Sequence, residues 1–199
     1  MQARSKFSLF PVLNLRPTEM FLDSPAPDFW VFAYGSLIWN PGFLYKSREP
    51  VTLNGYSRRY CIASMVYRGT PERPGLVLGL EAGGSCEGVG YRVAGELKAA
   101  TLDYLRAREL ITSVYHEKVV RIQTREAVGH DAVTYVADTD HEQYVAVSDF
   151  DAMLEIIAAA SGSAGPNAEY ALNTWANLAG LGVSDPLIER VAEALRRRG

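Results

Sequence analysis

The sequence predicts an α+β fold built around a mainly antiparallel or mixed sheet. Three observations predict it. Strand-type patterning runs from Phe29 to about Asp138, one segment with helical spacing interrupts it, and the C-terminal third is helical throughout.

The elements follow in order. "FWVFAYGSLIWNPGF" (Phe29 to Phe43) opens as an apolar strand and breaks at Tyr34-Gly35-Ser36-Leu37 while still among core-forming side chains. Gly35 there marks a bulge or bend, or else a place where a ligand reaches backbone N–H groups. "SRRYCIASMVY" (Ser57 to Tyr67) mixes polar and apolar residues like a half-buried strand, and "RGTPERPG" follows as a rigid loop. "LVLGLEAGGSCEGVGYRV" reads as a β-hairpin turning at Gly83-Gly84, with Leu76, Leu78 and Leu80 on one face and Val89, Tyr91 and Val93 on the returning strand. The period then changes. In "ELKAATLDYLRAREL" (Glu96 to Leu110), Leu97, Ala100, Tyr104 and Leu105 recur at helical spacing. Alternation returns in "YHEKVVRIQTREAVGHDAVTYVAD", with Gly129-His130-Asp131 as the predicted turn.

After "DHEQYVAVS", Asp149 is placed to cap "FDAMLEIIAAA", and "SGSAG" reads as a flexible break. Pro166 opens "NAEYALNTWANLAGLG" at a favoured first-turn position, and Asp185-Pro186 start a last helix through Arg198. The cations Arg196, Arg197 and Arg198 complement the negative end of that helix.

At 199 residues, with 48% hydrophobic and 22% charged residues, the chain fits one domain with a substantial core. Residues 1–28 read as an N-terminal extension and residues 29–199 as the domain. A formal net charge of -3 leaves no electrostatic footprint for nucleic acid or an anionic membrane, and no apolar run approaches a membrane span. The first 28 residues lack the regions of a secretory signal, so a cytoplasmic location is expected. Cys61 and Cys86 are then reduced, half-buried fillers.

His116, His130 and His141 form no metal-ligating set, and no metal is expected. Ser36 lacks the second glycine of a nucleophile elbow, Gly88-Val89-Gly90 lacks a dinucleotide fingerprint, and a P-loop is absent. One carboxylate remains in an unusual setting. Leu102, Leu105 and Glu109 lie on one helix face, so Glu109 can share the side that packs on the sheet. From the pattern alone the stronger reading is a solvated helix-end Glu109 paired with Arg106 or Arg108.

Taken together, "VFAYGSLIWNPGF", "GYSRRYC", "YRGTPERPGLVLGL", "GVGYRV", "ARELITSVY" and "GPNAEYALNT" resemble the ChaC family of γ-glutamylcyclotransferases, in order and spacing, from about Phe29 to the last helix. The resemblance implies a cofactor-free enzyme of the cytosol that cleaves glutathione to 5-oxoproline and cysteinylglycine. It also implies a small, barrel-like mixed sheet packed by helices. The family's catalytic base falls on Glu109, and its loop for the γ-glutamyl group falls on Tyr34, Gly35, Ser36 and Leu37. Arg68, Tyr115, Asn167 and Tyr170 lie in matching blocks and are expected to bind substrate. Each has a structural alternative: core aromatics for Tyr115 and Tyr170, a cap for Asn167, a loop brace for Arg68. Leu110 stands where the family more usually has Met, a volume-conserving change. Other γ-glutamyl peptides or amines as donors, or a non-catalytic γ-glutamyl-binding module, remain open, as does the oligomeric state.

Overall fold

An uninterrupted apolar run such as Phe29–Ala33 suits a strand covered on both faces, and all five residues of this first strand, β1, are buried. The computed structural model describes residues 26–198, so the predicted N-terminal extension lies outside the described residues as far as residue 25. Strands β2 (Ser47–Ser64), β3 (Gly75–Val93), β4 (Tyr115–Thr124) and β5 (Gly129–Ala137) join β1 in a closed barrel of order β1-β3-β2-β4-β5. Closure comes from the parallel pairing of β1 with β5, Trp30 opposite Ala132 and Val31 opposite Val133; every other barrel pair is antiparallel. The sheet is therefore mixed, within an α+β fold. Its core includes Phe32, Leu53, Leu80, Tyr91 and Ile122, none more than 1% exposed.

The predicted hairpin at Gly83-Gly84 is a correction. β3 continues unbroken through both glycines, pairing with β2 on either side of them. Asn54 faces Ser85 and Tyr56 faces Ala82, so Gly83 and Gly84 together oppose Gly55 in a bulge, all three with positive φ. Such glycines bend a ribbon as readily as they reverse it. The true reversal is the 65–74 loop, where Thr70 and Arg73 exchange backbone hydrogen bonds. The turn expected at Gly129-His130-Asp131 is likewise displaced, since those residues begin β5 and the chain turns at 125–128 with Ala127 at φ 62°.

Helix α1 (Lys98–Glu109) crosses between β3 and β4. It presents Thr101 and Leu105 to the core, and Glu109 is its last residue. Asp149 caps α2 (Phe150–Ala159), accepting from the N–H groups of Asp151 and Ala152. The "SGSAG" segment is not a flexible break. It forms a small hairpin, β6 (Ser161–Gly162) with β7 (Gly165–Pro166). The Ser163 and Ala164 N–H groups donate to the Val66 and Tyr67 carbonyls at 2.8 and 2.9 Å, which fixes the hairpin to the 65–74 loop. Pro166 sits one place before α3 (Asn167–Gly180), and Asp185 caps α4 (Pro186–Arg196). Arg196 occupies the last turn of α4, while Arg198 pairs with Glu155 of α2 at 2.7 Å. Cys61 and Cys86 are free and fully buried rather than half-buried. Among the described residues no helix is long and apolar enough to cross a membrane.

Candidate active site

The chain leaves β1 at Ala33 and enters a single 3-10 turn at Ser36–Ile38. A helical turn leaves its first N–H groups without intrahelical acceptors. Among the described residues no protein acceptor engages the N–H groups of Gly35, Ser36 and Leu37. The carbonyls of this loop, by contrast, are tied down. Arg58 Nε donates to the Tyr34 carbonyl at 2.7 Å, and the buried Tyr91 hydroxyl lies 3.0 and 2.8 Å from the Leu37 and Ile38 carbonyls. Clamped carbonyls fix the orientation of the peptide planes, so the unbonded N–H groups form a rigid donor set.

These residues form one wall of a cavity of about 540 Å³, the size range of small-ligand sites. The other walls come from β3 (Leu78), the end of α1 (Arg108, Glu109), β4 (Tyr115), the 65–74 loop (Arg68) and α3 (Tyr170). Segments distant in sequence converge there. Of the predicted site residues, the structure brings together Glu109, Tyr34, Gly35, Ser36, Leu37, Arg68, Tyr115 and Tyr170 around this space.

Asn167 is not among the cavity-lining residues. It is fully buried, and its side-chain amide spans the backbone of Leu76, Oδ1 accepting from N–H at 2.7 Å and Nδ2 donating to the carbonyl at 2.9 Å. It acts as a strand clasp that docks the start of α3 on β3. Tyr170 and Tyr115 repeat that logic two residues on: the Leu78 N–H donates to the Tyr170 hydroxyl at 3.2 Å, and the Tyr115 hydroxyl donates to the Leu78 carbonyl at 2.9 Å. Both phenols thus brace β3 and also face the cavity. Arg68 Nη1 donates to the Pro166 carbonyl at 3.1 Å, and its guanidinium lies 5.8 Å from the Tyr170 ring centre.

Glu109 is neither solvated nor paired with Arg106, which instead holds Glu117 at 2.7 Å. Its side chain is 18% exposed and meets Arg108 Nε at 3.1 Å. Burial pushes its carboxyl above the ordinary carboxylate range, and the Arg108 guanidinium pulls part of the way back. Burial first, and the Glu109 charge among the further causes, hold the Tyr34, Tyr115 and Tyr170 phenols well above their ordinary range, so all three stay neutral. The result is one carboxylate beside the Arg108 guanidinium in an aromatic enclosure that also holds an array of backbone donors. Such an arrangement can take a proton at one side and stabilise developing negative charge at the other.

Two arginines escaped the sequence reading as parts of this machinery. The sequence offers Arg108 only as an ion-pair partner, yet Nη1 also reaches the Asn40 carbonyl at 2.6 Å and the Tyr104 hydroxyl at 3.0 Å, and Nη2 reaches Ser36 Oγ at 2.9 Å. Arg58 left a fainter signal: it shares strand parity with buried Tyr60 while Arg59 faces solvent.

Gly35 explains the break in the opening strand. A Cβ built there would lie 3.1 Å from the Tyr170 hydroxyl and 3.8 Å from Leu78 Cβ, both on the cavity wall. Gly35→Val is therefore expected to fill the space beside the donor array and abolish substrate binding. Calorimetric titration with substrate checks this, and unchanged affinity would remove the loop from the site.

A family model described as ChaC-like protein matches residues 29–198. The glutathione-specific γ-glutamylcyclotransferase of Escherichia coli is 34% identical over 178 residues, covering 89% of this chain and 74% of that protein. The glutathione-specific γ-glutamylcyclotransferase 1 of Rattus norvegicus is 30% identical over 194 residues, covering 94% of this chain and 86% of that one. The crystal structure of a glutathione-specific γ-glutamyl cyclotransferase from yeast superposes with a TM-score of 0.78 at 23% identity, over 85% of this chain and 96% of that one, which shows a shared fold.

Proposed function

The chain belongs to the ChaC-like protein family, and from that premise we propose that it is a glutathione-cleaving γ-glutamylcyclotransferase with Glu109 as its general acid and base. The observation that carries the mechanism is the half-buried Glu109 carboxylate sharing one cavity with the unbonded N–H groups of Gly35, Ser36 and Leu37, with Arg108 bridging Glu109 and Ser36.

In this reaction the α-amine of the γ-glutamyl group attacks its own γ-carbonyl. A five-membered lactam closes, and the amine of cysteinylglycine leaves with 5-oxoproline as the other product. Nucleophile and electrophile share one molecule, so the protein's main tasks are to fold the γ-glutamyl chain over and to manage a proton. Orientation of this kind contributes up to about 7–11 kcal/mol in favourable cases. Glu109 removes a proton from the α-ammonium, which frees the lone pair for attack. Its raised carboxyl pKa makes it a stronger base than an exposed glutamate. The Gly35–Leu37 N–H groups receive the carbonyl oxygen as it becomes an oxyanion, and loss of one such donor typically costs about 2.7–4 kcal/mol. The protonated Glu109 then returns its proton to the departing nitrogen, and the second proton that the ring nitrogen sheds on closure passes to the freed amine of cysteinylglycine, so the lactam leaves neutral and the enzyme ends as it began. Tyr34, Tyr115 and Tyr170, held neutral, wall the γ-glutamyl chain without adding charge.

The test is incubation of the purified protein with glutathione and mass-spectrometric detection of 5-oxoproline and cysteinylglycine in equal amounts. Their absence from a folded sample, alongside turnover of another γ-glutamyl donor, would transfer the same chemistry to that donor.

A further inference from the structure

Arg108 is more than a neighbour of the base. A guanidinium carries five N–H donors. One goes to Glu109, two to the Asn40 carbonyl and the Tyr104 hydroxyl, and one to Ser36 Oγ. That leaves one Nη2 donor over, on a side chain that lines the cavity. Ser36 Oγ accepts from Arg108, so its own hydroxyl proton remains to be donated. A cation and an anion therefore stand side by side, 3.1 Å apart, on the same cavity wall.

The γ-glutamyl group carries the complementary pair: an ammonium and a carboxylate on a single carbon. We propose that Arg108, together with the Ser36 hydroxyl, binds the α-carboxylate of the γ-glutamyl donor and makes a free α-carboxylate a requirement for recognition. This assignment rests on the reading of Glu109 as the partner of the α-amine. The ammonium goes to Glu109 and the carboxylate goes to its neighbour, which fixes the amine in the cavity that the Gly35–Leu37 N–H groups also line. Those groups are then free for the γ-carbonyl oxygen, so the two anionic oxygens of the reaction have separate sites. The substrate class that follows is γ-linked glutamyl compounds unsubstituted at both α-groups.

The experiment compares glutathione with its analogue bearing a primary amide in place of the glutamyl α-carboxylate, measuring both turnover and calorimetric binding. Wild type is expected to favour glutathione by about 10- to 100-fold, the usual span for a hydrogen bond to a charged group. Arg108→Met is expected to lose more on glutathione than on the amide by that factor, chiefly in KM, so that the two donors become equivalent to within about threefold. Arg108→Lys should restore part of the preference for the carboxylate alone, because it keeps the charge without the fork.

Equal loss on both donors would reduce Arg108 to a brace of the loop and overturn the proposal. So would a wild type that binds both equally, whatever its turnover. Failure of the underlying reading looks different: Glu109→Gln would keep its turnover while the donor preference still followed Arg108.

Discussion

Glu109→Gln is expected to fold like the wild type and to lose turnover by about 10²- to 10⁴-fold, the usual contribution of a positioned acid and base. The amide preserves the shape of the carboxylate, and Arg108 retains its bonds to Asn40, Tyr104 and Ser36. What disappears is the proton acceptor. Glutathione turnover with a parallel thermal melt checks this, and near-normal kcat in a folded variant would reassign the base. The same residue sets a pH dependence. Falling pH protonates Glu109 and removes the base, so kcat/KM declines on the acid side. Because burial raises its carboxyl, that decline begins at a higher pH than for an exposed glutamate. The acid limb is expected in the wild type and absent from whatever activity Glu109→Gln retains.

Arg58→Met is expected to be the most destabilising single change at the site. The Arg58 side chain is 1% exposed and donates to the Tyr34 carbonyl, the Glu87 carbonyl and the Asp185 carboxylate. Removing one partner of a buried pair typically costs about 3–5 kcal/mol, because the other charge stays behind unpaired. In a chain of this size each kcal/mol lowers Tm by roughly 2–4 °C, so the melt should fall by about 6–20 °C. Activity should fall too, since the Tyr34 carbonyl would no longer be clamped. Asp185→Asn makes the comparison: its Oδ1 can still cap the Leu187 and Ile188 amides, so it should cost less. A Tm within a degree of wild type for Arg58→Met would show that the clamp contributes nothing.

Much of this was legible in one dimension because it follows from local rules. Asp149 and Asp185 cap helices as their position before apolar-periodic runs predicts. Leu105 and Glu109 share a face of α1 because four residues make about one turn. The glycines were legible only in part. Gly55, Gly83 and Gly84 announce positive φ, but whether such residues reverse a strand or merely bend it depends on the partner strand, which local sequence does not contain. "SGSAG" looked like a break because small residues bury little surface, and its order comes instead from hydrogen bonds to Val66 and Tyr67, nearly a hundred positions away. Asn167 shows the same limit in a polar residue. A buried amide satisfied by a strand 91 residues off carries no local mark separating it from a ligand-binding one.

The sequence by itself determined the α+β class, the order of most elements, the helix that carries Glu109 and the loop that carries Gly35. Periodicity, caps and turn residues act over a few positions, and each of those features spans no more. Only the tertiary structure decided that β1 and β5 close the sheet into a barrel, that Arg58 on β2 reaches past β3 to clamp the Tyr34 carbonyl, and that Arg108 joins the base to Ser36. These depend on which surfaces meet once the apolar faces are buried. Whether Glu109 stood in water or in a cavity was undecided along the chain for the same reason: its environment is made by β1, β3, β4 and α3, and exists only when they are brought together.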